Sequence, residues 1–136
     1  MTREEILEFL NRNPVCHVAT VENGQPRVRS LFMYRADQSG LIFHTGTHKA
    51  LAKQIQTGMP VQACFTNSDV QIRVTGTAEI IDDMAVKQEI VSVRAFMQPW
   101  IEKYGFDMLL IFRVTHCQVS VWTVADNFKP TVYQPL

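Results

Sequence analysis

Apolar positions recur at helical spacing at the start of the chain, in Ile6, Leu7, Phe9 and Leu10, behind Thr2 and Glu5, which form a Ser/Thr-x-x-Glu capping box. A first helix is therefore expected to run to about Arg12, where Asn13-Pro14 stops it. The period then falls to two. Val15 to Val21 is β-rich, Glu22-Asn23-Gly24-Gln25 is a hairpin signal, and Pro26 to Arg35 reads as the returning strand. Ala36-Asp37-Gln38-Ser39-Gly40 turns the chain into Leu41 to His44. Ala50, Leu51 and Ile55 restore helical spacing until Thr57-Gly58-Met59-Pro60 ends it. Val61 to Thr66 and Val70 to Ile81 then read as a second hairpin around Asn67-Ser68-Asp69. Asp82-Asp83 can cap a third helix through about Phe96, and Gln98-Pro99-Trp100 to Tyr104-Gly105 fits a connection or a short helix. Met108 to His116 and Cys117 to Val124 read as two strands or as one long strand with a bend, followed by an irregular tail from Asp126 to Leu136. The pattern is that of an antiparallel meander with flanking helices, mainly β in content, with no internal repeat.

Composition narrows the function classes. A chain of 136 residues, 46% hydrophobic and 19% charged, is expected to form one globular domain with a real core. Lys+Arg and Asp+Glu balance at 13 each, so no global field draws nucleic acid or anionic lipid to the protein. The N-terminus lacks a basic stretch followed by an apolar one, and the longest apolar run, Met108 to Phe112, is far too short to span a bilayer. A cytoplasmic protein with no nucleic-acid or membrane partner is expected. Cys16, Cys64 and Cys117 are odd in number and lack Cys-x-x-Cys spacing, which points to reduced thiols in the interior rather than a disulfide or zinc site.

The candidate chemistry lies where a strand runs into the second helix. Arg29 sits on a strand, and Phe43-His44-Thr45-Gly46-Thr47-His48-Lys49 supplies hydroxyls, backbone N–H groups and a cation near a helix start. Unpaired N–H groups and aligned peptide dipoles attract anions to helix N-termini, and Arg and Lys add charge-assisted hydrogen bonds. These residues describe a phosphate-sized pocket. The alternative is that Thr45 or Thr47 merely caps the helix and both cations stand in solvent. No Ser/His/Asp or Cys/His constellation stands out; of His17, His44, His48 and His116 only His44 and His48 have ligand-like spacing, and no second Cys or His pair accompanies them, so no zinc site is expected.

In order along the chain, Pro26-Arg27-Val28-Arg29-Ser30-Leu31, Phe43-His44-Thr45 with His48-Lys49, Gln71-Ile72-Arg73-Val74-Thr75-Gly76 and Val119-Ser120-Val121-Trp122 resemble the FMN-binding split β-barrels related to pyridoxamine 5′-phosphate oxidase. The resemblance runs from about Glu5 to Trp122. It implies an antiparallel split β-barrel over residues 1–136, built as a homodimer with FMN between the subunits. It places Arg29 and Lys49 on the FMN phosphate with His48 beside them, and Thr45 on the phosphate or ribityl chain. The Arg29-Ser30-Leu31 backbone would lie along the ring, and Gln71 and Trp122 would approach it from the other subunit. Trp122 is equally suited to an ordinary core position, and Arg73 reads as a solvated strand charge rather than the alternative, a phosphate ligand. The chemistry would belong to the flavin, acting with a small-molecule substrate or electron donor. Oxidation of pyridoxamine phosphate itself is not expected, because the Ala125 to Val132 stretch has no Arg-x-His pair for a substrate phosphate. A non-catalytic flavin binder or sensor, a haem-binding or haem-degrading barrel, and a deazaflavin site are the alternatives.

Overall fold

Thr2 starts the first helix in the way its spacing from Glu5 requires. In the computed structural model, which describes residues 1–136, α1 (Arg3–Arg12) opens with Glu5 N–H donating to Thr2 Oγ1 at 3.2 Å and Thr2 N–H donating to Glu5 Oε2 at 2.7 Å. Its inner face buries Ile6 and Leu10. The chain then forms a hairpin of β1 (Val15–Glu22) and β2 (Gln25–Phe32), joined by Asn23 and Gly24 at φ 50° and 74°. Two consecutive positive φ values are what a two-residue hairpin turn of matching twist needs, and Asn-Gly supplies them at little cost.

Six further strands follow: β3 (Arg35–Asp37), β4 (Gly40–Gly46), β5 (Pro60–Thr66), β6 (Val70–Ile81), β7 (Leu109–Thr123) and β8 (Gln134–Pro135). All pair antiparallel in the order β2-β1-β5-β6-β7-β4-β3, with β8 on β7. β2 and β3 end the order without pairing to each other, so the barrel is split. One face carries the main core, in which Phe43 and Phe112 stack with centroids 5.2 Å apart. The other face buries Ile42, Leu109 and Ile111 against Ile90, Val91 and Met97 from α3 (Met84–Val93) and the turn that follows it. No helix is long and apolar enough to cross a membrane.

The expected single strand from Pro26 to Arg35 is two strands. β2 ends at Phe32, opposite Val15 where β1 begins: Met33 next faces Pro14, which has no N–H for its carbonyl, and Arg94 donates instead to the carbonyls of Phe32 at 2.8 Å and Met33 at 2.6 Å. The chain resumes in β3, so Ala36 and Asp37 are strand rather than turn, and β4 extends two residues past His44. The second helix, α2 (Ala50–Gln54), is only five residues long. The third stops at Val93, with Asp83 capping it through Ala85 N–H at 2.8 Å. The stretch after Gln98 is a helix, α4 (Gln98–Tyr104). The final pattern is one strand of 15 residues with a bulge, where His116 at φ 53° adds a residue and the ladder steps from Thr75 to Thr77. The three cysteines are free. Burial pushes the Cys16 thiol up to about 12 and the Cys117 thiol to about 11, so neither is a nucleophile near neutral pH.

Candidate cofactor groove

A cavity of about 1100 Å³ opens between the β2 edge, the C-terminal end of β4 and α4. Ligand sites run to roughly 300–1,000 Å³, so a nucleotide-sized molecule fits. One end is polar, formed by Thr45, Thr47, His48 and Lys49. None of these four side chains makes a hydrogen bond or ion pair within the chain. The far wall is apolar and aromatic, with Phe96, Trp100, Tyr104 and Met108, and carries Lys103. No carboxylate lines the groove.

The polar end is shaped by a tight turn rather than by a helix. Thr47 N–H donates to Met108 O at 2.8 Å and Lys49 N–H to Gly46 O at 3.0 Å. Lys49 itself occupies the N-cap position without a side-chain cap bond, so neither Thr45 nor Thr47 caps α2. Five residues sum too little dipole for the helix terminus to carry the site, and the cation and hydroxyls must do so. Gly46 permits the arrangement: a Cβ there would stand 2.5 Å from the His48 ring.

Ser30 and Leu31 line the groove from the free edge of the sheet. Met33 N–H donates to Pro14 O at 2.9 Å, and in an antiparallel ladder the bonding residues alternate. Leu31 and Arg29 therefore turn their backbone groups toward β1, while Ser30 turns its N–H and C=O outward into the groove. Phe32 O, of the same parity, is the carbonyl that Arg94 reaches.

Arg29 is not among the groove-lining side chains. Its side chain shares the inner face of β2 with Leu31 and donates to Thr20 Oγ1 at 2.9 Å, Val18 O at 3.1 Å and Gln54 Oε1 at 2.5 Å. It thus ties the edge strand to the last residue of α2. Its Nε–H has no partner in the chain. Burial lowers the Arg29 pKa, and Glu22 partly offsets this, without threatening its charge at neutral pH.

Gln71 and Trp122 also lie away from the groove, directly opposite each other on β6 and β7. Trp122 is exposed, with its Nε1–H donating to Asn127 Oδ1 at 3.3 Å, so an ordinary core role is ruled out. Beside it a second cavity of about 230 Å³ is lined by Arg73, Ser120, Lys129 and Gln134. Arg73 is half-buried, with its Nε enclosed and unpaired.

Sequence reasoning passed over the His44–Arg94 pair and the aromatic wall. Arg94 is 8% exposed and has no carboxylate partner. Besides the two carbonyls it donates to His44 Nε2 at 2.7 Å, and its guanidinium lies 3.9 Å from the Phe32 ring centroid. Burial, then the charges of Arg94 and Lys49, push the His44 pKa down to about 4. The aromatic spacing of Phe96, Trp100 and Tyr104 was visible, but nothing local says that α4 folds back over β4.

The residues present fit a flavin mononucleotide. The unpaired cation and hydroxyls at one end suit a phosphate, the outward N–H and C=O of Ser30 suit a ring edge with both donors and acceptors, and the apolar wall suits a flat aromatic system. The sequence profile described as pyridoxamine 5′-phosphate oxidase matches residues 2–122. The chain belongs to that family. It is 29% identical to a pyridoxine/pyridoxamine 5′-phosphate oxidase of Shewanella denitrificans over the whole of this chain but only 56% of the relative, so it spans about half that protein's length. Among solved structures, a NimC/NimA family protein from Clostridium acetobutylicum superposes with a TM-score of 0.74 at 22% identity, covering 98% of this chain and 92% of the other. A pyridoxamine 5′-phosphate oxidase-related, FMN-binding protein of Nostoc punctiforme gives 0.64 at 22% identity, with 98% and 95% covered. An FAD- and haem-binding protein of Mycobacterium smegmatis gives 0.70 at 17% identity, with 99% and 82% covered.

Proposed function

We propose that the groove holds FMN and that the protein is an oxidoreductase acting on a small molecule with the flavin as its redox group. The observation that carries this reading is the convergence of Thr45, Thr47, His48 and Lys49, all unpaired within the chain, at one end of a groove edged by the free backbone of Ser30. Lys49 and His48 would neutralise the phosphate while Thr45 and Thr47 donate hydroxyls to it. Arg29 would support this end from beneath, by fixing α2 through Gln54. Ser30 and Leu31 would lie along the ring and read its polar edge. When bound, the flavin supplies hydride transfer at its ring, so no side chain need serve as nucleophile.

The reading includes a second copy of the chain. Gln71 and Trp122 are too far round the barrel to line their own groove, and they would meet the ring of the other subunit. Apolar side chains left exposed on the sheet edge and helices, among them Val28, Phe32, Trp100 and Tyr104, supply a surface for such an assembly.

Haem is the weaker candidate. Only His44 and His48 of the four histidines line the groove, and His44 Nε2 is committed to Arg94. The absorbance spectrum of the purified protein, with mass determination of the released molecule, separates FMN from haem and deazaflavin. Turnover of a nicotinamide nucleotide with an electron acceptor separates an oxidoreductase from a passive binder. A released molecule without a phosphate would overturn the assignment.

A further inference from the structure

We infer that Arg94 is a positioning residue that acts through His44, holding the imidazole neutral with its one proton on Nδ1, so that the groove wall presents a fixed hydrogen-bond donor. A guanidinium has donors and no acceptor, and it stays protonated at any accessible pH. At 2.7 Å from Arg94 Nη1, His44 Nε2 must therefore offer its lone pair. A neutral imidazole with Nε2 unprotonated carries its proton on Nδ1. His44 lines the groove and Arg94 does not, so Nδ1 is the polar atom of the ring left for a ligand.

The surroundings leave no competing arrangement. Lys49 and His48 face the ring from the turn before α2, Lys103 stands across the groove on α4, and Tyr34 lies on the Arg94 side with its hydroxyl donating to Glu89. No carboxylate reaches His44 to stabilise an imidazolium. Arg94 is itself locked by the carbonyls of Phe32 and Met33, so its guanidinium is held in place against His44. The donor selects ligands with an acceptor atom, a carbonyl or phosphoryl oxygen or a ring nitrogen lone pair, at that point of the wall. This rests on the groove being the ligand site, but the tautomer does not depend on which ligand binds.

The test is long-range proton–nitrogen NMR on the purified, ligand-free protein with labelled histidine. His44 should show Nδ1 as the protonated nitrogen and Nε2 as the unprotonated one, unchanged between pH 5.5 and 8.5. Arg94→Lys, which keeps a donor, should retain that pattern. Arg94→Met should release it, so that His44 exchanges between tautomers and titrates about two pH units higher, near the ordinary histidine value. If Arg94→Met does not fold, the wild-type spectrum still decides. An Nε2-protonated ring, or titration of wild-type His44 between pH 6 and 7, overturns the inference. FMN added to the same sample should shift Nδ1; failure of FMN to bind at all would count against the flavin reading and leave the tautomer result standing.

Discussion

Arg29 donates to Gln54 Oε1 at 2.5 Å, joining the free-edge strand to the end of the helix that follows the candidate phosphate site. Thr20 donates to the same oxygen at 3.0 Å, so two donors, from β1 and β2, share one acceptor on α2. The arrangement distinguishes Arg29 from the two arginines of like parity. Arg27 pairs with Glu22 at 3.7 Å and Arg35 with Asp37 at 3.0 Å, both at the surface. Arg29→Ala should lower stability by about 1–3 kcal/mol and, by loosening α2 beneath the polar end, weaken FMN binding by about 1–2 kcal/mol. Arg27→Ala and Arg35→Ala should stay within about 0.5 kcal/mol on both counts. Urea unfolding and FMN titration of the three variants check this, and Arg27→Ala binding worse than Arg29→Ala would contradict it.

The two glycines that flank β4 should respond differently to alanine. Gly40 sits at φ 121° with a Cβ position 2.0 Å from the Val114 carbonyl oxygen, so Gly40→Ala strains the backbone and meets an atom that cannot move aside. A loss of at least about 2 kcal/mol is expected in thermal or urea unfolding. Gly46→Ala meets only the exposed His48 ring, which can rotate away. It should leave stability within about 1 kcal/mol while weakening FMN binding, because His48 is displaced from the polar end. Equal destabilisation by the two substitutions would show that the turn before α2 is not built as described.

His44 makes stability depend on pH in a definite direction. Its folded pKa, about 4, lies below the unfolded value of about 6.5, so the unfolded chain takes up a proton that the folded one refuses. Stability should be unaffected by this group above about pH 6.5 and should fall as pH drops from there toward 4, by up to about 3 kcal/mol. His44→Gln removes the titration, so the difference between the two unfolding profiles isolates it from the carboxylates. Parallel profiles for wild type and variant would contradict the buried neutral state.

Assembly is a separate expectation. With Gln71 and Trp122 reaching the ring of a second copy, the protein should sediment as a dimer at micromolar concentration with or without FMN. A monomer that binds FMN tightly would contradict the shared site.

Local signals read the elements well wherever their cause is local. The Thr2–Glu5 box, the Asn23-Gly24 turn and the Asp83 cap each satisfy backbone groups within four residues, and each appears in the structure where its spacing puts it. The Phe32 carbonyl is taken up by Arg94, 62 residues away, and no periodicity within β2 could show that partner. The same holds for the wall of the groove, since α4 is brought to β4 by long-range packing of Ile90, Met97 and its own Ile101 in the cluster with Ile42 and Ile111. At the candidate site, Ser30, Leu31, Thr45, His48 and Lys49 line one groove. The inward turn of Arg29 was not legible, because alternation on an edge strand assigns a parity but not which face the core takes.

The paired titration of FMN and riboflavin tests the central claim most directly. The two ligands share a ring and differ by the phosphate, so their difference in affinity reads the polar end of the groove alone. Charge-assisted contacts from Lys49, His48 and the two threonines should favour FMN by on the order of 2–5 kcal/mol, tenfold to several thousandfold in dissociation constant. Flavin fluorescence quenching measures both, and equal constants for FMN and riboflavin would contradict the account.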